Sequence, residues 1–252
     1  MSDMYDNFNK YFEIVIADTS ELLENVYKIR YQVLCEEQRI PGFDPSLYPD
    51  KMEKDNYDSH SSHVLLRFRP SGDFIGTVRL VLFDFLQPEK LFPVESYAQF
   101  DPALCNIETL SRLQTAEISR FVVVSRFDRR KEDRRTSRTD NPAESPADIE
   151  RRAKDRRSTP SIALILMAGV MRLSVKYNIK NWISGMEPAL NRLLSYSGLT
   201  FNLAGPPVNY HGIRQAYYVK VEDALARIYK EHYDAWEVLT ECGKYNPMII
   251  CK

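Results

Sequence analysis

The segment 116–124 constrains the fold most, because it begins with charged residues and ends in four consecutive apolar ones. Three of those four are β-branched, which is typical of a strand buried on both faces of a sheet. Side chains alternate along a strand, so Glu117 and Ser119 are predicted on one face and Arg120 on the other. An unpaired buried charge is costly, so the strand must either pair these groups or use them. A structural ion pair and a functional site both remain open at this point.

The rest of the chain alternates between strand and helix patterns. Strands are predicted at 12–17, 63–69, 76–83, 182–185, 200–203 and 215–221, and helices at 20–38, 161–177, 188–196 and 222–239. The first ten residues, which are polar, are expected to form a short disordered lead. With segment 116–124 this gives about seven strands in one mixed α/β domain over 1–252, without an internal repeat or a linker.

Composition excludes several classes of protein. The formal net charge of -1 gives no general attraction to nucleic acid, and no apolar segment is long enough to span a bilayer. The beginning of the chain does not resemble a secretory signal. Four cysteines lie far apart without metal-type spacing, so we expect reduced thiols, a cytoplasmic protein and no metal site. His60 and His63 with Asp58 lack the further ligands that a metal centre needs.

The segment 126–158, called the Arg-rich segment below, interrupts this pattern. It has almost no apolar residues and is predicted to be a flexible, net basic insertion. One interpretation is a solvated loop whose charges neutralise one another. Another is a docking surface for an acidic partner. Nucleic acid is a poor candidate because the segment lacks aromatic residues for base stacking apart from Phe127 at its edge.

Several motifs, in order, resemble one known family. They are Arg30, then Asp55-Asn56-Tyr57-Asp58, then Gly76-Thr77-Val78-Arg79, then Glu117-Ile118-Ser119-Arg120-Phe121. Together they resemble the acyl-homoserine-lactone synthases and the related N-acyl amino acid synthases, which are GNAT-fold acyltransferases. Segment 26–37 and Phe92-Pro93-Val94-Glu95 resemble, more closely, the bacterial acyltransferases associated with PEP-CTERM/exosortase systems. The resemblance runs from about residue 12 to 225 and implies a twisted central mixed sheet with helices on both faces.

The resemblance also implies a reaction. An acyl thioester on phosphopantetheine, usually carried by acyl carrier protein, would transfer its acyl group to a small-molecule amine, with no tightly bound cofactor. By position, Glu117 corresponds to the family's acid and is the candidate general base. An ammonium group must lose a proton before it can attack a thioester, so a carboxylate near the reacting carbon has a clear role.

Further positions carry roles that the resemblance implies. Arg120 joins Glu117 as a candidate catalytic residue, and the expected substrate-binding residues are Arg30, Leu34, Asp55, Asp58, Arg79, Ser119, Phe121, Val122 and Val123. Backbone N–H groups around 121–123 are candidate donors to the oxyanion. The helix 161–177 and the strand 182–184 are candidates for lining an acyl-chain tunnel, although ordinary core packing explains their apolar faces equally well.

Two departures from the family bear on specificity. Leu34 replaces an aromatic residue of the family, so a different acceptor pocket is expected. The family's pyrophosphate loop is missing before the apolar helix, which favours acyl carrier protein over free acyl-CoA as donor. The docking residues expected for that carrier are Arg129, Arg130, Arg134, Arg135, Arg156 and Arg157. The alternative functions are a non-catalytic acyl-thioester or lipid-signal binding module, and an acyl-CoA-dependent N-acetyltransferase.

Overall fold

The computed structural model describes residues 1–127 and 159–247. Within these ranges, seven strands form one sheet: β1 Phe12–Ile16, β2 Ser61–Phe68, β3 Phe74–Val81, β4 Thr115–Val123, β5 Asn181–Met186, β6 Asn202–Asn209 and β7 Ile213–Lys220. The α-helices are α1 Asp3–Tyr11, α2 Ser20–Tyr31, α3 Ile162–Lys176, α4 Pro188–Ser195, α5 Val221–Glu231 and α6 Tyr233–Thr240. A π-helical segment, Gln32–Glu37, continues α2. The predicted mixed α/β fold is confirmed.

The sheet opens between its two central strands. The strand order is β1-β2-β3-β4-β5-β7-β6, and every neighbouring pair is antiparallel except β4 and β5. These two parallel strands pair over only three positions, the last of which places Glu117 opposite Ile183. Beyond that pair, β4 continues along β3 while β5 continues along β7. The strands therefore separate immediately after Glu117.

Helices cover both faces of the sheet, as expected. The apolar helix α3 packs on one face, where its side chains form the largest core together with those of α1, α4, α5 and α6. On the other face α2 packs against β2 and the end of β4. The segment 92–110 covers the remainder of that second face, where Val94 packs near Val81 and Ile183. Alternating burial along each strand supplies both cores.

The N-terminal segment differs from its prediction. It forms α1 rather than a disordered lead, with the Ser2 side chain accepting a hydrogen bond from the Tyr5 N–H at the helix start. Met4, Tyr5, Phe8 and Tyr11 recur at helical spacing, and Phe8 is buried in the main core. This apolar stripe packs α1 against α6. Its polar composition concealed the periodicity.

Two further predictions at the C-terminal side are corrected. The helix predicted over 222–239 is two helices, because the backbone at His232 is not helical and separates α5 from α6. Gly205-Pro206-Pro207, which lies beyond the predicted strand 200–203, is inside β6. Since β6 is an edge strand, these prolines interrupt no central hydrogen-bond ladder, and the register with β7 shifts across them.

Gly169 controls how closely α3 approaches the sheet. A Cβ atom at this position would overlap the Val64 side chain on β2 and contact Ile14 on β1. Gly169→Ala should therefore lower the free energy of unfolding by about 1–3 kcal/mol through overpacking, despite the ~1 kcal/mol gain in helix propensity. Urea denaturation measures the change. Because Val64→Ala makes room for the new methyl group, the double variant should lose less free energy of unfolding than the two single variants combined. Additive effects of the two substitutions would contradict this packing.

Candidate active site

A cavity of about 330 Å³ occupies the opening between β4 and β5. On the α2 side of the sheet its lining is polar and includes Asp55, Arg79, Glu117, Ser119 and Arg120. On the α3 side its lining is apolar and comes from α3, α4 and the strand edges, with Ile118, Ala163, Met167, Met186, Leu190, Leu193, Leu194 and Phe201. The cavity thus passes through the sheet and joins a charged chamber to an apolar one.

A β-bulge in β4 brings Arg120 into the charged chamber. Thr77 pairs with Val122 and Arg79 with Ser119, so one residue of β3 faces two residues of β4. Arg120 takes up the extra length with φ of +50°, a conformation that costs a non-glycine residue roughly 1 kcal/mol or more. The prediction that Arg120 and Glu117 lie on opposite faces is therefore wrong, since the bulge turns Arg120 toward the face that carries Glu117.

Arg30 is the buried end of a network of charges behind the cavity. Its side chain is 0% exposed, unlike that of a typical arginine, which keeps its charged end in water. Its Nε donates to Glu53 Oε2, and its Nη1 lies 2.7 Å from Asp58 Oδ1. Glu53 is also 0% exposed. Both partners come from the segment between α2 and β2, so Arg30 fixes that segment against the sheet.

Arg79 and Arg120 carry the same network to the cavity surface. Asp55 bridges them, with Oδ1 at 2.6 Å from Arg79 Nη1 and Oδ2 at 2.8 Å from Arg120 Nη2. Arg120 Nη2 is also 3.0 Å from Glu53 Oε1. The Arg79 Nη1 atom is 2.9 Å from Asp58 Oδ1, and its Nε donates to Ser119 Oγ. Every cation of the network thus contacts at least two of its carboxylates.

The charge network defined by Arg30, Arg79, Arg120, Glu53, Asp55 and Asp58 is balanced, with three cations and three carboxylates. Burial alone would raise the pKa of Asp58 and of Glu53, but Arg30, together with Arg79 at Asp58 and Arg120 at Glu53, holds both below their usual values. Nearby His63 stays neutral, because burial and the adjacent Arg30 lower its pKa to about 3. The network therefore keeps its charges across the physiological pH range.

Glu117 lies apart from this network in a drier environment. Its side chain is 1% exposed, and Oε2 accepts a 2.7 Å hydrogen bond from the Val94 backbone N–H. Burial raises the pKa of Glu117 to about 8, although the Val94 N–H, Arg79 and Arg120 oppose the shift. A carboxyl group with this pKa can exchange a proton with an ammonium group near neutral pH.

The opening also exposes backbone donors. The Val124 N–H donates to Ile75 O on β3, and N–H groups alternate in direction along a strand. The N–H groups of Val123 and Phe121 are therefore directed into the opening, whereas that of Val122 is directed toward β3. Among the three residues expected to supply oxyanion donors, Phe121 and Val123 have this orientation.

The structure separates the residues expected at the site into three groups. Those that line the cavity are Leu34, Asp55, Arg79, Glu117, Ser119, Arg120, Phe121, Val122 and Val123. Arg30 and Asp58 lie behind it and contact the lining residues instead of the cavity. The expected docking residues Arg129, Arg130, Arg134, Arg135, Arg156 and Arg157 lie outside the described residues.

Several residues of the site are not indicated by any sequence motif. Glu53, two positions before Asp55, holds Arg30 and Arg120 together, and the acidic character of that segment was a signal that could have indicated it. Val94 supplies its N–H to Glu117. Tyr97 and Arg214 also line the cavity, but they come from distant segments without any charged motif around them. Only the folded chain brings such residues together.

The described residues contain no group of three or more His, Cys, Asp or Glu side chains that could hold a metal ion. Within the same ranges, Cys35, Cys105 and Cys242 are free thiols. None of the helices that the structure describes is long and apolar enough to cross a membrane.

Glu53 should contribute strongly to the stability of the fold. Glu53→Ala removes one of the three carboxylates and leaves Arg30 and Arg120 short of negative charge, so the free energy of unfolding should fall by about 3–5 kcal/mol. Urea denaturation at neutral pH measures this. The matched control is Glu24→Ala, which removes an exposed carboxylate paired with Lys28 and should cost less than about 0.5 kcal/mol. Equal effects of the two substitutions would show that the network contributes no more than a surface pair.

Comparison with known proteins agrees with this architecture. Residues 29–136, less than half of the chain, match the acetyltransferase (GNAT) domain family. No curated protein matches the chain in sequence.

Solved structures of three enzymes share the fold. The CoA-dependent acyl-homoserine lactone synthase BjaI, with SAM and isopentyl-CoA, is 18% identical and has a TM-score of 0.53 over 92% of this chain and 99% of its own. FeeM, an N-acyl amino acid synthase from uncultured soil microbes, is 14% identical and has a TM-score of 0.53 over 86% of this chain and 93% of its own. The AHL synthase LasI is 17% identical and has a TM-score of 0.50 over 84% of this chain and 93% of its own. The domain match supports an acyltransferase enzyme, and these likenesses show that the chain has the GNAT fold.

Proposed function

We propose that this protein transfers an acyl group from a phosphopantetheine thioester to the amine of an amino acid or a related small molecule. The observation that carries the proposal is the cavity through the sheet, which joins a buried carboxylate with a raised pKa to an apolar chamber. An acyl chain fits the chemistry of the apolar chamber, and an ammonium group fits that of the charged one. The thioester would then lie in the opening between β4 and β5.

The chain's own residues supply each step. Glu117 takes a proton from the acceptor ammonium, and the freed amine attacks the thioester carbonyl carbon. The N–H groups of Phe121 and Val123 stabilise the negative oxygen of the tetrahedral intermediate. As the intermediate collapses, the carbon–sulfur bond breaks, the new amide loses its second proton, and the departing thiolate takes up a proton. The products are an N-acyl amide and a free phosphopantetheine thiol.

The charge network acts indirectly in this mechanism. Arg120 and Arg79 are already paired with Asp55 at the cavity surface, and Arg30 and Asp58 hold that arrangement from behind. We infer that these residues position the strand carrying Glu117 and Ser119, and that Arg120 also favours ionisation of Glu117 electrostatically. Leu34 and Val122 contribute to the lining against which the substrates lie.

The proposal extends to the product and the subgroup. By analogy with BjaI and FeeM, the product is an acyl-homoserine lactone or an N-acyl amino acid. The segment Phe92-Pro93-Val94-Glu95 carries the resemblance to acyltransferases of bacterial PEP-CTERM/exosortase systems, and its Val94 N–H binds Glu117. No tightly bound cofactor is required, and free thiols accord with a cytoplasmic location.

Substituting Glu117 tests the proposed base. Glu117→Gln keeps the shape of the side chain but cannot accept a proton, so kcat should fall by about 10²–10⁴-fold. Because the carboxylate must be ionised to act, kcat/KM of the wild-type protein should rise with pH with an inflection near 8. The variant should lack this inflection and keep only the rise that follows deprotonation of the amine itself. Thiol release from acyl thioesters, measured from pH 6 to 10 with an amino-acid mixture, reports both quantities.

The control for this experiment is Glu13→Gln, on β1, which removes a half-exposed carboxylate that pairs with Arg67 far from the cavity. Its turnover should match that of the wild-type protein. Near wild-type turnover of a folded Glu117→Gln protein would rule out the proposed base. A tightly bound lipid without any amine-dependent thiol release would instead favour the non-catalytic binding module, and turnover restricted to acetyl-CoA would favour a conventional N-acetyltransferase.

We propose acyl carrier protein as donor and the Arg-rich segment as its docking surface, on the basis of charge in the sequence. Replacing Arg129, Arg130, Arg134 and Arg135 by glutamine should raise KM for an acyl carrier protein donor and flatten the dependence of KM on salt, because steering of an acidic partner weakens. KM for the corresponding acyl-CoA is the internal control and should change little. An unchanged KM for the carrier-bound donor would refute this docking surface.

A further inference from the structure

Arg214, on β7, differs from the other arginines that line the cavity. Its side chain is 15% exposed, and Nη1 lies 2.6 Å from Oε1 of Glu187, whose side chain is 52% exposed. Within the described residues no hydrogen bond reaches its Nε or Nη2 atom. Arg79 and Arg120, in contrast, each contact two carboxylates of the balanced charge network. In the same part of the chain Arg79 Nη2 also lacks a hydrogen-bond partner, but it is buried. Arg214 is therefore distinguished by its single carboxylate partner, which is exposed, and by donors that this partner does not use.

Arg214 and Glu117 border the same face of the sheet. Ile183 pairs with Glu117, and Ile183, Gly185 and Glu187 follow one another on one face of the extended chain. Four residues of extended chain span about 13 Å, and the long Arg214 side chain reduces this separation. One end of the charged chamber thus carries the proposed base Glu117, and the other end carries the Arg214 cation.

Aromatic rings line the space between these ends. The Tyr97 hydroxyl lies above Gly185, halfway along the chamber, where any Cβ atom would overlap it. The Tyr97 ring stacks on Tyr210 with centroids 3.7 Å apart and planes inclined by 6°. Glu117 and Arg214 both act on the pKa of Tyr97, which burial raises above its usual range. The two charged ends therefore face one confined space with aromatic sides.

We propose that Arg214 binds the carboxylate of an amino-acid acceptor. The amine of this acceptor contacts Glu117, and its carboxylate displaces solvent and Glu187 from Arg214. This inference rests on the proposed function and specifies its acceptor. The charge network is less suited to this purpose, because each of its cavity-lining cations is already paired with two of its own carboxylates. Glu187, being largely exposed, holds Arg214 only weakly and can yield to a ligand.

Two variants separate the cation from its ion pair. Arg214→Gln removes the guanidinium, whereas Glu187→Gln breaks the same ion pair but keeps Arg214. The probes are the standard amino acid that the wild-type protein binds most tightly in calorimetry and the carboxamide of that amino acid, which keeps the amine and loses the carboxylate. Acceptor KM, donor KM and kcat are measured for each protein, and calorimetric binding of both probes is measured alongside turnover.

For Arg214→Gln we expect Kd and KM for the amino acid to rise by roughly 10–100-fold. Binding of the carboxamide, donor KM and kcat should change little. Glu187→Gln should retain the wild-type preference for the amino acid over the carboxamide. Equal binding of both probes by the wild-type protein, no binding of any amino acid, or an effect of Arg214→Gln confined to donor KM would each overturn the inference. Equal loss of preference in the two variants would also overturn it, since the ion pair would then be structural.

Calorimetry keeps this inference distinct from the proposed reaction. Carboxylate-dependent binding that is lost in Arg214→Gln, without acyl transfer by the wild-type protein, would support the Arg214 site and refute the proposed function. Acyl transfer to amino acids and carboxamides alike would support the function and refute the Arg214 site.

Discussion

The architecture of the site depends on one buried set of ion pairs. Three guanidinium groups on α2, β3 and β4 meet three carboxylates from the segment between α2 and β2. Burying any of these charges alone would be costly, so each residue is tolerated only in the presence of the others. Glu53 illustrates this, because it is inaccessible to solvent and contacts two arginines from different elements. The network therefore fixes a long connecting segment and makes it one side of the cavity.

The opening in the sheet and the bulge in β4 act together. The opening leaves backbone donors of Phe121 and Val123 without a neighbouring strand, and the bulge turns Arg120 toward the charged chamber. Without the bulge, regular alternation would direct Arg120 to the apolar side, where it would lack a carboxylate partner. The sheet thus separates an apolar from a charged environment, and the proposed reaction takes place where the two meet.

Much of the fold follows from local patterns, whereas the site depends on contacts between distant segments. β-branched runs and turn residues place six of the seven strands closely, and the prediction for β6 overlaps only the start of that strand. Glu117 was recognisable from its place in a buried strand. The burial of Arg30 was not, because its partner Glu53 lies 23 residues away in a segment without regular periodicity. The bulge at Arg120 was equally hidden, since the residue with positive φ is an arginine and not the glycine that such a conformation favours. Arg214 reaches the cavity only through strand pairing.

The burial of Glu117 couples the proton it holds to the stability of the protein. In the folded chain its pKa is about 8, whereas the unfolded chain would release this proton at the lower, usual value. Between those two values the folded state binds more protons, so the free energy of unfolding falls as pH rises across the interval. The protonated resting form is therefore the more stable one, and the ionised form that can accept a proton is the less stable one. An acceptor ammonium bound beside Glu117 would offset this cost, because it adds a positive charge next to the ionised carboxylate.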